Sequence, residues 1–415
     1  MFSPACASIR CYTKVCGYLH IIYFLSYHRW GQAVALLNDS LLIHGGKTDQ
    51  FNAYSYTSAP NTNDLLYLPL TSSFSAASPP WILVSNSTNS SSPFFAWHTL
   101  SPSNLPNVLL FGGSPDPNSP TVVVSLADSA QLLNVASPLQ PVWSLKSTAW
   151  AGEPVRRMRH STATSSSSQV FIIGGEMADG SGNALSDHYI FNPTVPTFTL
   201  LPPNGPPDIY GHASIMLSDG RLLVFGGYSP SQRILLPFSM IWVLDTSQSN
   251  LAWSVIQTTT KSLPSPRMAF AAASLNDGTI LIHGGSDASL QTNFADGWIL
   301  DTSQSTMDWT QVEALSNLGT LRDHFAAPQG DLVLFGFGKR KTLYLKSMFT
   351  QELIKVIITM VQRPLRCRYT TALLNLLFLC SNPCHLLRPL LQTRRRANFL
   401  PVRPVRPYLQ ARLQV

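Results

Sequence analysis

Seven histidines run through the middle of the chain, at His44, His98, His160, His188, His212, His283 and His324. Gathered on one face they could bind a metal ion. Their spacing points elsewhere: His98, His160, His212 and His324 recur at one position of a repeated pattern, and His44 and His283 at another, just before paired glycines. A position that recurs with the repeat implies a structural task, hydrogen bonding between repeats, and His188 is expected to pack in a strand. Arg156, Arg157 and Arg159 form a basic knot beside Glu153, a composition that can hold a carboxylate or phosphate; a solvated loop with one repeat arginine accounts for it as well. Asp179-Gly180-Ser181-Gly182-Asn183 opens no helix and so lacks the geometry of a phosphate cradle; it is expected to be a surface turn. Cys380 and Cys384, with His385, have no complementary ligand pair at zinc spacing.

The elements that must carry these residues repeat. An apolar run ends in two glycines at Gly45-Gly46, Gly112-Gly113, Gly174-Gly175, Gly226-Gly227 and Gly284-Gly285, and an altered sixth copy ends at Gly336-Phe337-Gly338. The leading glycines stand 67, 62, 52, 58 and 52 residues apart, a period expected of propeller blades. Before each run lies a strand-like segment rich in small residues, and Ser218-Asp219-Gly220 and Asn276-Asp277-Gly278 supply hairpin turns. After the glycines come a variable loop, a third strand (as in Ile241–Asp245) and a fourth holding Trp81, Trp143, Phe198, Trp253 or Trp309. Wholly apolar runs of this length are strands buried on both faces. Paired glycines within them imply close backbone approach, with the large aromatics of the third and fourth strands expected to fill the space.

These repeats resemble the kelch-repeat, galactose-oxidase-like β-propeller superfamily over residues 29–338, and phrases such as Pro207–His212 and Pro264–Arg267 resemble kelch ectodomain proteins of fungi. The fold expected is all-β: a kelch-type propeller of about six four-stranded blades, the last incomplete. Gly45, Gly46, Gly112, Gly113, Gly174, Gly175, Gly226, Gly227, Gly284, Gly285 and Gly336 are its structural glycines. The superfamily's copper oxidases need a Tyr–Cys cross-link; the repeat body contains no cysteine, so no such cofactor is expected there, nor any other. The resemblance implies a non-catalytic scaffold that binds a protein or glycan through its blade loops. A degenerate carbohydrate-active enzyme or lectin-like relative is the alternative.

The flanks differ from the body. Residues 29–338 hold 11 basic and 20 acidic residues, a net of −9, so the overall +7 comes from the ends. An acidic body repels phosphate backbones, and no nucleic acid is expected on the propeller. Residues 1–28 form an irregular segment, either signal-like or a strand that supplies an outer piece of blade one. Residues 339–415 carry 15 basic residues and one acid and read as a disordered or out-of-frame tail. It has no apolar stretch long enough to span a bilayer, although relatives of the ectodomain type are membrane-anchored. Thr342–Leu345 offers a third strand for blade six; without one the ring stays open, exposes strand edges and favours aggregation. Sequons at Asn38, Asn86 and Asn89 fit an extracellular or membrane-associated setting.

Overall fold

The computed structural model describes residues 18–24, 29–340 and 357–360, apart from internal segments at 50, 52, 76–78, 85–91, 117–127, 145–148, 260, 305 and 331. Five four-stranded antiparallel sheets are each built from one continuous run of chain. Blade one takes Ala33–Leu37, Ser40–His44, Leu65–Pro69 and Ile82–Val84. Blade two takes Phe95–Pro102, Asn107–Pro115, Ala130–Asn134 and Val142–Trp143, and blade three Ser161–Thr164, Val170–Ile173, Tyr189–Asn192 and Thr197–Leu200. Blade four takes Ala213–Met216, Arg221–Phe225, Met240–Asp245 and Trp253–Gln257. Blade five takes Ala271–Ser274, Ile280–His283, Gly297–Asp301 and Asp308–Gln311, and only a short 3₁₀ turn, Glu313–Leu318, follows before Phe325–Gln329 and Leu332–Gly336 open a sixth sheet. The chain is an all-β propeller.

The sixth sheet is completed from outside the repeat body. Tyr18–Phe24 pairs with Leu332–Gly336 in parallel, and Ile357–Met360 pairs antiparallel with Tyr18–Phe24. The parallel direction suits the connection. Phe24 stands beside Gly336, and the backbone carbonyl of Arg29, five residues on, accepts the Gly338 N–H at 2.8 Å. The N-terminal strand therefore joins blade six, not the outer edge of blade one. Thr342–Leu345, the expected third strand, and the cysteines lie outside the described residues.

The ring closes. Leu41, Ile43, Leu68 and Leu70 of blade one pack with Phe325, Ala327, Leu334 and Phe337 of blade six, as comparable apolar clusters fill the other blade interfaces. On the side of blade six the described residues of that cluster come from its inner two strands and from Phe337. Burial between neighbours is also why the glycine-ended runs are apolar throughout: Leu41–Ile43, Leu222–Phe225 and Ile280–Ile282 have no exposed surface.

Each glycine of a pair clears a different obstacle. A Cβ on Gly45, Gly112 or Gly284 would lie within 2.8 Å of the Cε1 of His98, His160 or His324 on the next blade. One on Gly113, Gly175 or Gly227 would meet the Cβ of its own blade's His98, His160 or His212 within 2.7 Å. Backbone carbonyls of the next blade (Phe95, Arg157, Ile209 and Leu321) and inner-strand histidines, more than the expected outer aromatics, take the space. In the sixth copy Phe337 holds the first-glycine position at φ 59° and Gly338 the second at φ 96°, while Gly336 lies in the strand beneath the Phe325 ring.

Gly227→Ala, at φ 86° with His212 Cβ at 2.6 Å and the Tyr210 carbonyl at 2.9 Å from the new methyl, is expected to destabilise the fold by about 2–5 kcal/mol, the left-handed strain and the overpacking together. Gly180→Ala, with nothing within 4 Å, should cost only about 1–2 kcal/mol. Urea denaturation of the two variants checks the difference.

Candidate functional site at the propeller axis

The residue before each inner-strand histidine position turns toward the axis. Gly31, Trp97, Arg159, Gly211, Ala269 and Asp323, one per blade, share a left-handed φ between 51° and 65°. For the four that are not glycine this costs on the order of 1–2 kcal/mol each and persists because neighbours fix it. Each N–H donates to the carbonyl one blade back: Trp97 to Gly31 (2.6 Å), Arg159 to Trp97 (3.0 Å), Gly211 to Arg159 (2.8 Å), Ala269 to Gly211 (2.8 Å) and Asp323 to Ala269 (2.9 Å). At the sixth junction the side chain of Gln32 takes over, its Nε2 donating to the Asp323 carbonyl at 3.2 Å. Inside this ring lies a cavity of about 270 Å³. Its wall includes Tyr56, Trp97, Arg159, Tyr210 and Asp323 together with the apolar Leu100, Met268 and Phe325.

The histidines work between blades. His98 and His44 stand 2.8 Å apart (Nε2 to Nδ1), His324 and His283 3.0 Å, while His160 Nε2 reaches Thr99 Oγ1 at 2.9 Å and His212 Nε2 reaches Ser161 Oγ at 2.7 Å. Tautomers follow in the two pairs. His283 Nε2 faces the Ala295 carbonyl at 3.0 Å, so it carries the proton, and its Nδ1 accepts from His324. Ser92 Oγ donates to the Asn63 carbonyl, so His44 Nε2 donates to Ser92 and His44 Nδ1 accepts from His98. His188 receives the Gly174 N–H at Nδ1 (3.1 Å) and donates from Nε2 to the Pro206 carbonyl (3.0 Å). Burial holds the imidazoles neutral, His44 and His212 down to about 3 and His188 and His283 to about 4. Among the described residues no group of three or more His, Cys, Asp or Glu side chains is arranged to hold a metal ion.

The arginine knot separates into three tasks. Arg157 has no exposed surface; it donates to the Gly174 carbonyl (3.2 Å) and pairs in fork geometry with Asp187 (2.7 and 3.2 Å). Arg267 does the same with the Gly284 carbonyl and Asp296, and Arg29 donates to the Gly45 carbonyl and, by a single bond, to Asp64 Oδ2. Burial alone would raise Asp296; hydrogen bonds from Arg267 and Trp298 and the guanidinium charge bring it below the usual carboxylate range. Blade two has Phe95 where these blades have arginine. Arg156 of the following blade fills in, lying over the Phe95 ring and donating to the Gly112 carbonyl at 2.8 Å and to the Asp128 carbonyl. Glu153 accepts the N–H groups of Ser129, Ala130 and Trp150 at 2.6–2.9 Å.

Only Arg159 reaches the cavity. Glu176 meets it at 3.0 Å, and its guanidinium lies 4.6 Å from the Trp97 ring, 5.7 Å from Tyr56 and 5.8 Å from Tyr210. Tyr56 crosses the seam of the ring: its hydroxyl donates to Asp323 Oδ2 at 2.5 Å, and its ring stacks on Trp30 and under Arg322, 4.4 Å from the guanidinium. Burial pushes the Tyr56 hydroxyl up, and the Asp323 charge adds to it; burial likewise raises Asp323, against the pull of the Tyr56 hydrogen bond and of Arg159 and Arg322. The loop that carries Tyr56 is tied by Asp49, whose carboxylate accepts the N–H groups of Ala53 and Tyr54, and it exposes Phe51 (83%) and Tyr54 (53%) to solvent.

Sequence reasoning missed Tyr56, Trp97 and Asp323. The signal for two of them was present, because Trp97 and Asp323 immediately precede repeat histidines; Tyr56 stands in a variable loop with no periodic mark. Asp179–Asn183 is an exposed turn in which Asp179 accepts the Ser181 N–H. Asn38 is exposed in the hairpin turn of blade one; Asn86 and Asn89 lie outside the described residues. No described helix is long and apolar enough to cross a membrane.

A closed ring of kelch-type blades defines a repeat propeller. Residues 98–338, more than half of the chain, match the KLHDC2/KLHL20/DRC7 Kelch-repeats domain, and the chain belongs to that kelch-repeat family. It is similar to Adagio-like protein 1 of Oryza sativa subsp. japonica (29% identical over 259 residues) and to putative adagio-like protein 2 of the same plant (31% over 261 residues), each match covering 60% of this chain and 38% of the relative. Adagio protein 3 of Arabidopsis thaliana is 27% identical over 226 residues, 53% of this chain and 34% of that protein. The chain thus spans well under half the length of these relatives.

The neutral histidines set a pH dependence. Their folded pKa values lie below the unfolded value near 6.5, so the stability they confer is complete above that pH. It declines as the pH falls toward the folded values of about 3 to 4, by about 1.4 kcal/mol per pH unit for each imidazole that protonates only on unfolding. Denaturation midpoints are expected to be flat from pH 8 to 7 and to fall steeply from pH 6.5 to 5; a flat profile there contradicts the assignment.

Proposed function

We propose that this propeller is a non-catalytic scaffold that recognises a partner protein at its axial mouth. The observation that carries the reading is the mouth itself: Tyr56, Trp97 and Tyr210 around Arg159, held on a closed ring whose backbone geometry is fixed by blade-to-blade hydrogen bonds. Tryptophan, tyrosine and arginine are the side chains that most often dominate protein interfaces, and a preformed frame lowers the entropic cost of binding. Arg29, Arg156, Arg157 and Arg267 are committed to backbone carbonyls of the frame, which leaves Arg159 and the aromatic side chains around it as the recognition surface. The exposed loop tip at Phe51 and Tyr54 extends it.

Affinity capture with the full chain as bait tests this. Proteins retained by the wild type are expected to be retained at least tenfold less by Tyr210→Ala and by Arg159→Gln. Retention unaffected by both variants, or turnover of a sugar substrate by the purified chain, would overturn it.

An extracellular setting is supported by Asn38, a sequon that stands exposed in the hairpin turn of blade one. Expressed through a secretory route, the chain is expected to lose one glycosidase-sensitive mobility step on Asn38→Gln; an unchanged pattern argues against modification at that sequon.

A further inference from the structure

The knot of arginines in the sequence invites an anionic ligand, but the structure leaves the opposite charge under-compensated at the axis. Asp323 is the one acid in the ring of axial residues, and its carboxylate lines the cavity. Neutral groups serve it, the Tyr56 hydroxyl at 2.5 Å and the Trp97 indole N–H, and no ion pair within 4.0 Å reaches it among the described residues. The neighbouring cations are engaged elsewhere. Arg159, on blade three, meets Glu176 at 3.0 Å. Arg322 donates to the Leu290 carbonyl and Asn293 Oδ1 at 2.8 and 2.9 Å, and Lys47 to the Ala59 carbonyl and Asn61 Oδ1 at 2.7 and 3.0 Å. Lys339 stands 3.9 Å from Asp49. Burial still raises the acid despite Arg159 and Arg322.

The wall around Asp323 has spare acceptors. Gln32 donates its Nε2 to the Asp323 carbonyl, which leaves its Oε1 as a buried acceptor without a partner. The tautomers derived above leave the Nδ1 atoms of His98 and His324 as bare lone pairs, also without partners. These three residues belong to blades one, two and six and line the same cavity. A water occupies about 30 Å³ of liquid, so about 270 Å³ has room for a side chain.

We propose that the axial cavity receives a basic side chain, lysine or arginine, of a partner protein, with Asp323 as its counter-charge and Tyr56 as the group that moves aside. This rests on the mouth being the recognition site.

The test is titration of the full chain with n-butylammonium, followed by tryptophan fluorescence and calorimetry, with butyrate as the anionic counterpart. Saturable butylammonium binding is expected, at least tenfold weaker in Asp323→Asn and several-fold tighter in Tyr56→Phe, whose carboxylate no longer holds the phenol; butyrate should not saturate. N-acetyl-Gly-Lys-Gly-amide should bind more tightly than butylammonium, because the cation comes from a chain. Saturation by butyrate alone, or cation binding that survives Asp323→Asn, overturns the proposal. So does a peptide no tighter than the free amine. Where Asp323→Asn fails to fold, an unchanged or weaker affinity in Tyr56→Phe overturns it by itself. If butylammonium does not bind while mouth variants still lose captured proteins, the cation site falls and the scaffold reading stands.

Discussion

Everything in this molecule depends on how closely the backbones approach at the axis. Blade-to-blade hydrogen bonds from the second glycine position of five of the six repeats, Gly46 to Phe95, Gly175 to Ile209, Gly227 to Arg267, Gly285 to Leu321 and Gly338 to Arg29, run at 2.7–2.9 Å. The second position must be glycine because a Cβ there would meet its own inner strand; the first position, glycine in five repeats and Phe337 in the sixth, faces the next blade. The left-handed residues of the axial ring extend the same geometry inward. A fold whose interfaces are apolar slabs would tolerate small slips; this ring of short, directional contacts fixes the angle between neighbours.

Charge is used in the service of that constraint. Arg29, Arg157 and Arg267 each hold a first-glycine carbonyl and the carboxylate ahead of the third strand in one fork, so a loop end is clipped to the inner sheet. Blade two shows that the carbonyl's need outlasts the local residue, since Arg156 crosses from blade three to serve it over Phe95. Buried guanidinium groups spent this way are unavailable to a ligand, which separates the frame from the recognition surface. Where the pattern relaxes, at the seam between blades six and one, Gln32, Tyr56 and Asp323 replace backbone groups, and the chemistry of the mouth appears.

Much of the frame was legible from the sequence. The glycine pairs with apolar runs before them gave the inner strands, and the recurrence of His98, His160, His212 and His324 gave their inter-blade role, because equivalent environments select equivalent residues. The identity of what fills the space above the glycines was not legible: outer aromatics and inner histidines are both periodic, and period alone does not tell which of them points inward. Arg156, Arg157 and Arg159 looked like one cluster because they adjoin in sequence; strand geometry sends them to a neighbouring blade, to their own blade and to the axis.

By itself the sequence determined that the body is a set of equivalent β-sheets buried on both faces, and which residues are equivalent, because each repeat meets the same physical demands. Only the tertiary structure decided that the ring closes by Gly338 and Arg29, that the N-terminal strand runs parallel beside the last inner strand, and that Tyr56 lies against Asp323, 267 residues away. Those contacts cross a seam where no repeat follows the next. They are set by where the ends of the ring meet in space, a property of the closed circle that no single repeat contains.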